Sequence, residues 1–270
     1  MGMKTPLVTE IAPDTYAINE FGMNAMFLCV GKERALLIDT GTGLCDLKGL
    51  VASLTELPYD VVLTHGHVDH AGGMDQFETV YIHEADMQRA KDLTYEERRH
   101  YAGSLHSMDK DGAFEVDPGQ VRRWQNIPEM KPVSEGDVFD LGGRQLEVFF
   151  MPGHTAGSIT LLDRKNRIHF SGDACNINTL CLDRPVAELK HTAERIKAME
   201  DLFDQDFNGH LGYAGMPLIT SQPKSVRDDV IAACEKALAG EEAEDVVFLG
   251  RPAKAMNSGR CRIVYRAESL

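Results

Sequence analysis

The stretch Tyr59-Asp60-Val61-Val62-Leu63-Thr64-His65-Gly66-His67-Val68-Asp69-His70 carries the signal for both fold and chemistry. Its first half is a short apolar, β-branched run that reads as a strand. Its second half places four potential metal ligands within six residues, His65, His67, Asp69 and His70. A regular strand sends neighbouring side chains to opposite faces, so adjacent Asp69 and His70 require a turn. The small Gly66 permits one in which His65 and His67 meet at one cation while Asp69 and His70 face another.

The flanks of this stretch extend the pattern. Leu36-Leu37-Ile38 is continuously apolar, as a strand buried on both faces should be, and it ends in Asp39-Thr40-Gly41. Leu44 to Leu54 reads as a helix, so strand, helix and strand imply a parallel pair with a right-handed crossover. Upstream, Leu7 to Ile11, Thr15 to Asn19, Met23 to Val30 and Ala35 to Asp39 form a meander. Downstream, Thr79 to His83 is a further strand, followed by a mostly helical insert over about 84–132. There Thr94 with Glu97 makes a capping box. The insert's aromatics, Tyr95, Tyr101, Phe114 and Trp124, read as packing against the sheet, with a lid as the functional alternative.

The second half repeats the plan. Val138 to Leu141, Gln145 to Met151, Ser158 to Leu162 and Arg167 to Ser171 form another meander. Ala187 to Phe203 and Ser225 to Leu238 have helical periodicity, and Asp245 to Leu249 with Arg262 to Tyr265 read as closing strands. Each half is a sheet followed by helices, which predicts an α/β fold with two packed sheets and outer helices, in one domain over 1–270.

Composition narrows the partners. With 270 residues and 43% hydrophobic side chains the chain buries a full core, which excludes a disordered or disulfide-stapled class. Twenty-eight basic against 42 acidic residues give a net charge of −14, which argues against nucleic acid and anionic membranes as partners. A small-molecule substrate is expected instead, with further copies of the chain as the only macromolecular partner left open. Six scattered cysteines without a CxxC pair suit reduced thiols. No apolar run approaches the ~20 residues of a membrane helix and the start lacks a leader pattern, so a cytoplasmic location is expected.

Three more ligand candidates follow strand signals. His154 sits in Met151-Pro152-Gly153-His154-Thr155-Ala156-Gly157-Ser158, Asp173 ends Ser171-Gly172-Asp173, and His210 follows Asn208-Gly209. A shared sheet edge would gather all seven. Five imidazoles and two carboxylates converging without a cation would leave many polar groups desolvated, whereas two divalent ions would satisfy them.

With these motifs in this order, the sequence resembles the metallo-β-lactamase-fold hydrolase superfamily over roughly residues 7 to 265. Its HxHxDH motif is His65 to His70 here, its PGHTxGS motif Pro152 to Ser158, its SGD motif Ser171 to Asp173, and its late GH Gly209-His210. The resemblance implies an αββα sandwich of two mixed sheets with the site at one edge. It places one metal on His65, His67 and His154 and a second on Asp69, His70 and His210, with Asp173 bridging. It gives Asp39 a supporting role, hydrogen bonding a ligand histidine. The nitrogen and oxygen donors suit zinc first and tolerate iron or manganese.

A divalent pair about 3.5 to 4 Å apart shares a water and lowers its pKa to near 7, making the bridging hydroxide the expected nucleophile. Asp69 is the candidate proton carrier and Asp173 the bridging group. Flavodiiron-type oxygen reductases of this family carry an acidic residue where this chain has His67, which disfavours redox chemistry. The motif order looks most like the glyoxalase II and lactonase branch, implying a small thioester, lactone or other ester. Lactonase relatives place a tyrosine shortly after the bridging aspartate, where this chain has Asn176. Substrate contacts are therefore expected from Asn176, Asn178 and Thr179, from Tyr213, and from His106 in the insert. The alternatives are a phosphodiesterase acting on a small phosphate ester and a non-catalytic metal-binding or sensor protein.

Overall fold

The computed structural model describes residues 6–108, 117–210 and 220–270, apart from the side chains of 105–108. Its first sheet runs in chain order: β1 (Leu7–Ala12), β2 (Thr15–Glu20), β3 (Asn24–Val30), β4 (Ala35–Ile38), β5 (Tyr59–Val62), β6 (Thr79–Ile82) and β7 (Glu129–Pro132). The pairs from β1 to β4 are antiparallel, and those from β4 to β7 are parallel. Parallel neighbours need crossovers, which are supplied by α1 (Leu47–Leu54) between β4 and β5, and by α3 (Glu84–Lys91) and α4 (Tyr95–Met108) between β6 and β7. The single turn α2 (Val68–Ala71) follows β5.

Local sequence explains these boundaries. Asp46 caps α1 by accepting from the Gly49 N–H at 3.0 Å. The Thr94 hydroxyl accepts from the Glu97 N–H at 3.1 Å while Glu97 reaches back to the Thr94 N–H at 2.7 Å, closing the capping box that starts α4. Of the insert at 84–132, the described residues hold both helices and a 3₁₀ turn at Pro118–Gln120. Its last four residues are the edge strand β7.

The second sheet has five strands, β8 (Val138–Asp140), β9 (Gln145–Phe150), β10 (Ile159–Asp163), β11 (Ile168–Gly172) and β13 (Gln205–Asn208), in the order β13-β11-β10-β9-β8. α5 (Val186–Ala198) connects toward β13, and α6 (Ser225–Leu238) lies beside α5.

Apolar clusters show the layering. Phe27, Leu36, Ile38 and Val62 of the first sheet share one cluster with Val148, Leu161, Phe170 and Phe207 of the second, and the Phe27 and Phe170 rings are 4.9 Å apart. On the far side of the first sheet Met26, Leu28 and Leu37 join Leu47 and Val51 of α1. On the far side of the second, Met151 and Leu162 join Leu189 and Ile196 of α5 and Val226 and Val230 of α6. This is the αββα sandwich.

A third sheet adds to the expected pair. β12 (Asn178–Cys181), β14 (Glu244–Phe248), β15 (Arg251–Ser258) and β16 (Cys261–Tyr265) pair in the order β12-β16-β15-β14. The closing strands therefore join each other through β15. A two-residue turn at Leu249 and Gly250, with φ of 50° and 71°, makes the β14–β15 hairpin, since both central positions of this turn type need positive φ.

All six cysteines are free and buried. Burial pushes the thiols of Cys29, Cys181, Cys234 and Cys261 up to about 12, so they act as small core hydrophobes. Among the described residues no helix is long and apolar enough to cross a membrane.

Candidate metal centre

The C-terminal ends of β4, β5, β9, β11 and β13 point to one edge of the sandwich, and each delivers part of a single cluster. β4 ends before Asp39, β5 before His65, β9 before the loop holding His154, β11 before Asp173 and β13 before His210. After β5 the chain stays extended through His67, with φ −76° and ψ 160°, and then turns into α2. This switch lets four closely spaced side chains serve two points, and it brings together all seven ligand candidates.

Three overlapping groups have donor atoms within 4.8 Å of one another: His65, His67 and His154; His65, His70 and Asp173; and Asp69, His70 and His210. Asp173 joins the halves, with Oδ2 at 3.6 Å from His154 Nε2 and 2.9 Å from His210 Nε2, and Oδ1 at 3.6 Å from His70 Nε2. Six of the seven are buried; His67 alone is half-buried and marks the open side.

Hydrogen bonds behind the cluster set the direction of the imidazoles. His154 Nδ1 lies 2.8 Å from the Leu180 carbonyl, His210 Nδ1 lies 3.2 Å from the Met23 carbonyl, and His70 Nδ1 lies 2.8 Å from Asp39 Oδ2. Each partner is an acceptor, so each Nδ1 is assigned the proton; His154 Nε2 is left with a lone pair facing inward, while the Nε2 atoms of His70 and His210 face the Asp173 carboxylate and would offer lone pairs once a cation displaces a proton there. His65 Nδ1 lies 3.1 Å from the Thr64 hydroxyl, which itself donates to Asp39 Oδ2 at 2.8 Å. Asp39 also accepts from the Thr64 N–H at 2.7 Å. Its φ of +63° is costly for a residue with a side chain, and these bonds hold it there.

The inward atoms are what a cation requires. His65 Nε2, His70 Nε2 and Asp173 Oδ1 are buried without a hydrogen-bond partner. Buried lone pairs left without a partner are rare, and a pair of divalent ions held by these sets would satisfy all three. Burial, reinforced by neighbouring histidines, holds His65 and His67 well below the ordinary imidazole pKa, and burial likewise lowers His154. Burial also pulls on His70 and His210, yet Asp39, Asp173 and Asp69 raise His70 well above its ordinary value, and Asp173 with Asp69 raises His210. Burial opposes ionisation of Asp173, but His210 and His70 hold it well below the usual carboxylate range.

Several supporting residues escaped the sequence reading. Asp86 on α3 is buried, with Oδ2 accepting the Gly66 N–H and Oδ1 the Gly157 N–H, both at 2.8 Å. It ties the His65–His67 loop to the His154 loop. Tyr101 on α4 donates to Asp69 Oδ2 at 2.6 Å and lies 3.2 Å from Asn24 Oδ1. The Asn24 amide in turn donates to buried Glu20 at 2.9 Å. Arg89 on α3 stands 3.2 Å from His67 Nε2 and 3.0 Å from Asp183 Oδ2. Glycines at 66 and 157 were the available signal: a Cβ on Gly66 would sit 2.9 Å from the Asp86 carbonyl, and one on Gly157 2.7 Å from Asp86 Cβ.

The residues expected to contact substrate are spread out. Asn176 is buried in the turn before β12, where its Oδ1 accepts from the Asn178 N–H at 2.8 Å. The Thr179 hydroxyl donates to the Asn176 carbonyl at 2.8 Å, closing the same turn. His106 falls on α4 with its side chain outside the described residues, and Tyr213 lies outside them.

A seven-donor cluster at the strand ends of an αββα sandwich defines a class. The model of the metallo-beta-lactamase superfamily matches residues 19–202, and the chain belongs to that superfamily. Among curated relatives, acyl-coenzyme A thioesterase MBLAC2 of Homo sapiens is 31% identical over 211 residues, covering 70% of this chain and 74% of that protein. The same-named protein of Gallus gallus is 38% identical over 160 residues, 55% of this chain, but the match spans only 56% of that relative's length. Hydroxyacylglutathione hydrolase GloC of Haemophilus influenzae is 27% identical, covering 61% of this chain and 70% of that protein. The solved metallo-beta-lactamase from Pontibacter korlensis superposes with a TM-score of 0.58 at 19% identity, covering 86% of this chain and 99% of that one, a likeness of fold alone.

Proposed function

We propose that this chain is a dinuclear metal-dependent hydrolase of small thioesters. The observation that carries the proposal is the pair of three-donor sets, His65/His67/His154 and Asp69/His70/His210, with Asp173 reaching into both. Thioesters are favoured over lactones and other esters because the relatives are an acyl-coenzyme A thioesterase and a hydroxyacylglutathione hydrolase. Zinc is the first choice of metal for this donor set, with iron or manganese as alternatives.

Bound there, a divalent pair supplies water activated at neutral pH and polarises an acyl carbonyl. The chain's own groups set the geometry for this. Asp39, Thr64 and the carbonyls of Leu180 and Met23 fix four imidazoles with Nε2 inward, so little reorganisation accompanies reaction. Asp173, whose Oδ2 lies near both His154 Nε2 and His210 Nε2, would help to hold both cations. Asp69, held at Oδ2 by the Tyr101 hydroxyl, is placed to hold a proton on its way to the leaving thiolate.

Metal-loaded protein should be assayed against a panel of thioesters, lactones and phosphodiesters, with His67→Ala as control. Thioester turnover that disappears in the control is expected. Equal turnover by both proteins would contradict the proposal, and stable metal uptake without turnover of any substrate would favour a binding role.

A further inference from the structure

The open side of the centre carries a guanidinium, that of Arg89, set against the outward nitrogen of His67. His154 Nδ1 faces the Leu180 carbonyl at 2.8 Å, so it bears the proton and Nε2 is an acceptor. That Nε2 lies 2.9 Å from His67 Nδ1. Without a cation, His67 Nδ1–H donates to it, which leaves His67 Nε2 free to accept from Arg89 Nη1 at 3.2 Å. With a cation held by the first trio, both facing nitrogens present lone pairs to it. The His67 proton then resides on Nε2, and an N–H there faces the Arg89 N–H. Two donors cannot share that contact.

Arg89 has room to respond. Its side chain is 35% exposed, and Nη2 remains on Asp183 Oδ2 at 3.0 Å, which keeps the guanidinium at the mouth. Its backbone cannot drift, because Asp86 one turn earlier on α3 is fixed to Gly66 and Gly157. Beside it, two divalent cations would offset the carboxylates of Asp39, Asp69, Asp173 and Asp86, so that an anionic group meets far less repulsion at the mouth than the protein's net charge of −14 would suggest. A planar fork with an unsatisfied edge in such a field matches a carboxylate or phosphate.

We propose that Arg89 is the specificity-determining residue that recognises an anionic group close to the scissile carbonyl of the substrate. The inference rests on the thioester-hydrolase reading and adds the charge of its substrate. Three thioesters of equal length test it: one neutral, one with a carboxylate on the acyl side, and one with a carboxylate on the thiol side. In R89Q the ratio of kcat/KM for an anionic substrate over the neutral one should fall about ten- to hundredfold, through KM. Arg89→Lys should recover part of it, and the arm that responds identifies the side. Zinc affinity of metal-free R89Q should equal or exceed that of the parent, which also shows that the variant is folded. An unchanged ratio, or weakened zinc binding in R89Q, would overturn the proposal, since Arg89 would then serve only to hold His67.

A second readout does not depend on turnover. Inorganic phosphate binding to the cobalt-loaded protein, followed by visible absorption, should be about tenfold weaker in R89Q. Equal binding would overturn the assignment of Arg89. Weaker phosphate binding in R89Q alongside a parent that hydrolyses no thioester would leave Arg89 as an anion site and overturn the reading of function instead.

Discussion

Tyr101 brings a single hydroxyl from α4 to the ligand Asp69 and to Asn24. It contacts Asp69 at 2.6 Å from a helix in a different part of the chain, and replacing it with phenylalanine removes one oxygen and little packing. Tyr101→Phe should weaken binding of the second zinc ion about tenfold while leaving the first ion and the thermal midpoint nearly unchanged, as expected for a group that orients a ligand. Stepwise zinc titration checks this; identical second affinities would show that Asp69 needs no such support. The protonation of His70 and His210 gives a second expectation. Nearby carboxylates raise both above the ordinary imidazole value, so the metal-free cluster retains protons there to higher pH than a free histidine would. A cation must displace them. Metal affinity should therefore fall as pH falls, and uptake near neutral pH should release protons. Calorimetry in two buffers of different protonation enthalpy measures the release, and buffer-independent heats would contradict it.

At the scale of elements, α3 is the part that holds the two histidine loops together. Asp86 makes two buried bonds to backbone N–H groups, each worth roughly 1.5–3 kcal/mol when the acceptor is charged. Asp86→Ala should destabilise the fold by about 3 kcal/mol or more and weaken the first metal position, while Asp86→Asn should lose less. Denaturant unfolding gives the first quantity and metal titration the second; a variant as stable as the parent would show that the loops keep their positions without α3. Nothing local in Glu84-Ala85-Asp86 announces this role, because Asp86 acts only through a fold that brings residues 66 and 157 to it. The same reason hid Tyr101, which a one-dimensional reading took for packing. By contrast, His65 to His70, the loop around His154, Asp173 and His210 stand at strand ends, where short apolar runs stop against glycine, proline and polar residues. Such boundaries are legible in sequence. β15 was not: Arg251-Pro252-Ala253-Lys254-Ala255-Met256-Asn257-Ser258 has no β-branched residue, and its pairing on both sides makes it a strand. β7, β12 and β13 are as short as β4 and β5 but lack their apolar runs, so Glu129-Met130-Lys131-Pro132, Asn178-Thr179-Leu180-Cys181 and Gln205-Asp206-Phe207-Asn208 give no strand signal of their own.

Over the whole molecule, the two packed sheets were legible from repeated meanders followed by helices, and the third sheet was not, because β15, which joins the two closing strands, lacks a strand pattern and β12 comes from a distant part of the chain. The sandwich places five strand ends at one edge, and this lets side chains spaced from position 39 to position 210 form one cluster. The acidic surface and the carboxylate-rich cluster both favour cations over anions until metal is bound, so metal is expected to act as a switch for substrate as well as for chemistry. On the proposed reading, two cations on these seven side chains make the chain a thioester hydrolase. The rate of thioester hydrolysis as zinc is added to metal-free protein tests this most directly. Turnover should be absent without metal and should rise to a plateau at about two equivalents per chain, the number of ions shared in a two-metal site. Turnover by the metal-free protein, or a full rate at one equivalent with no further rise at two, would contradict it.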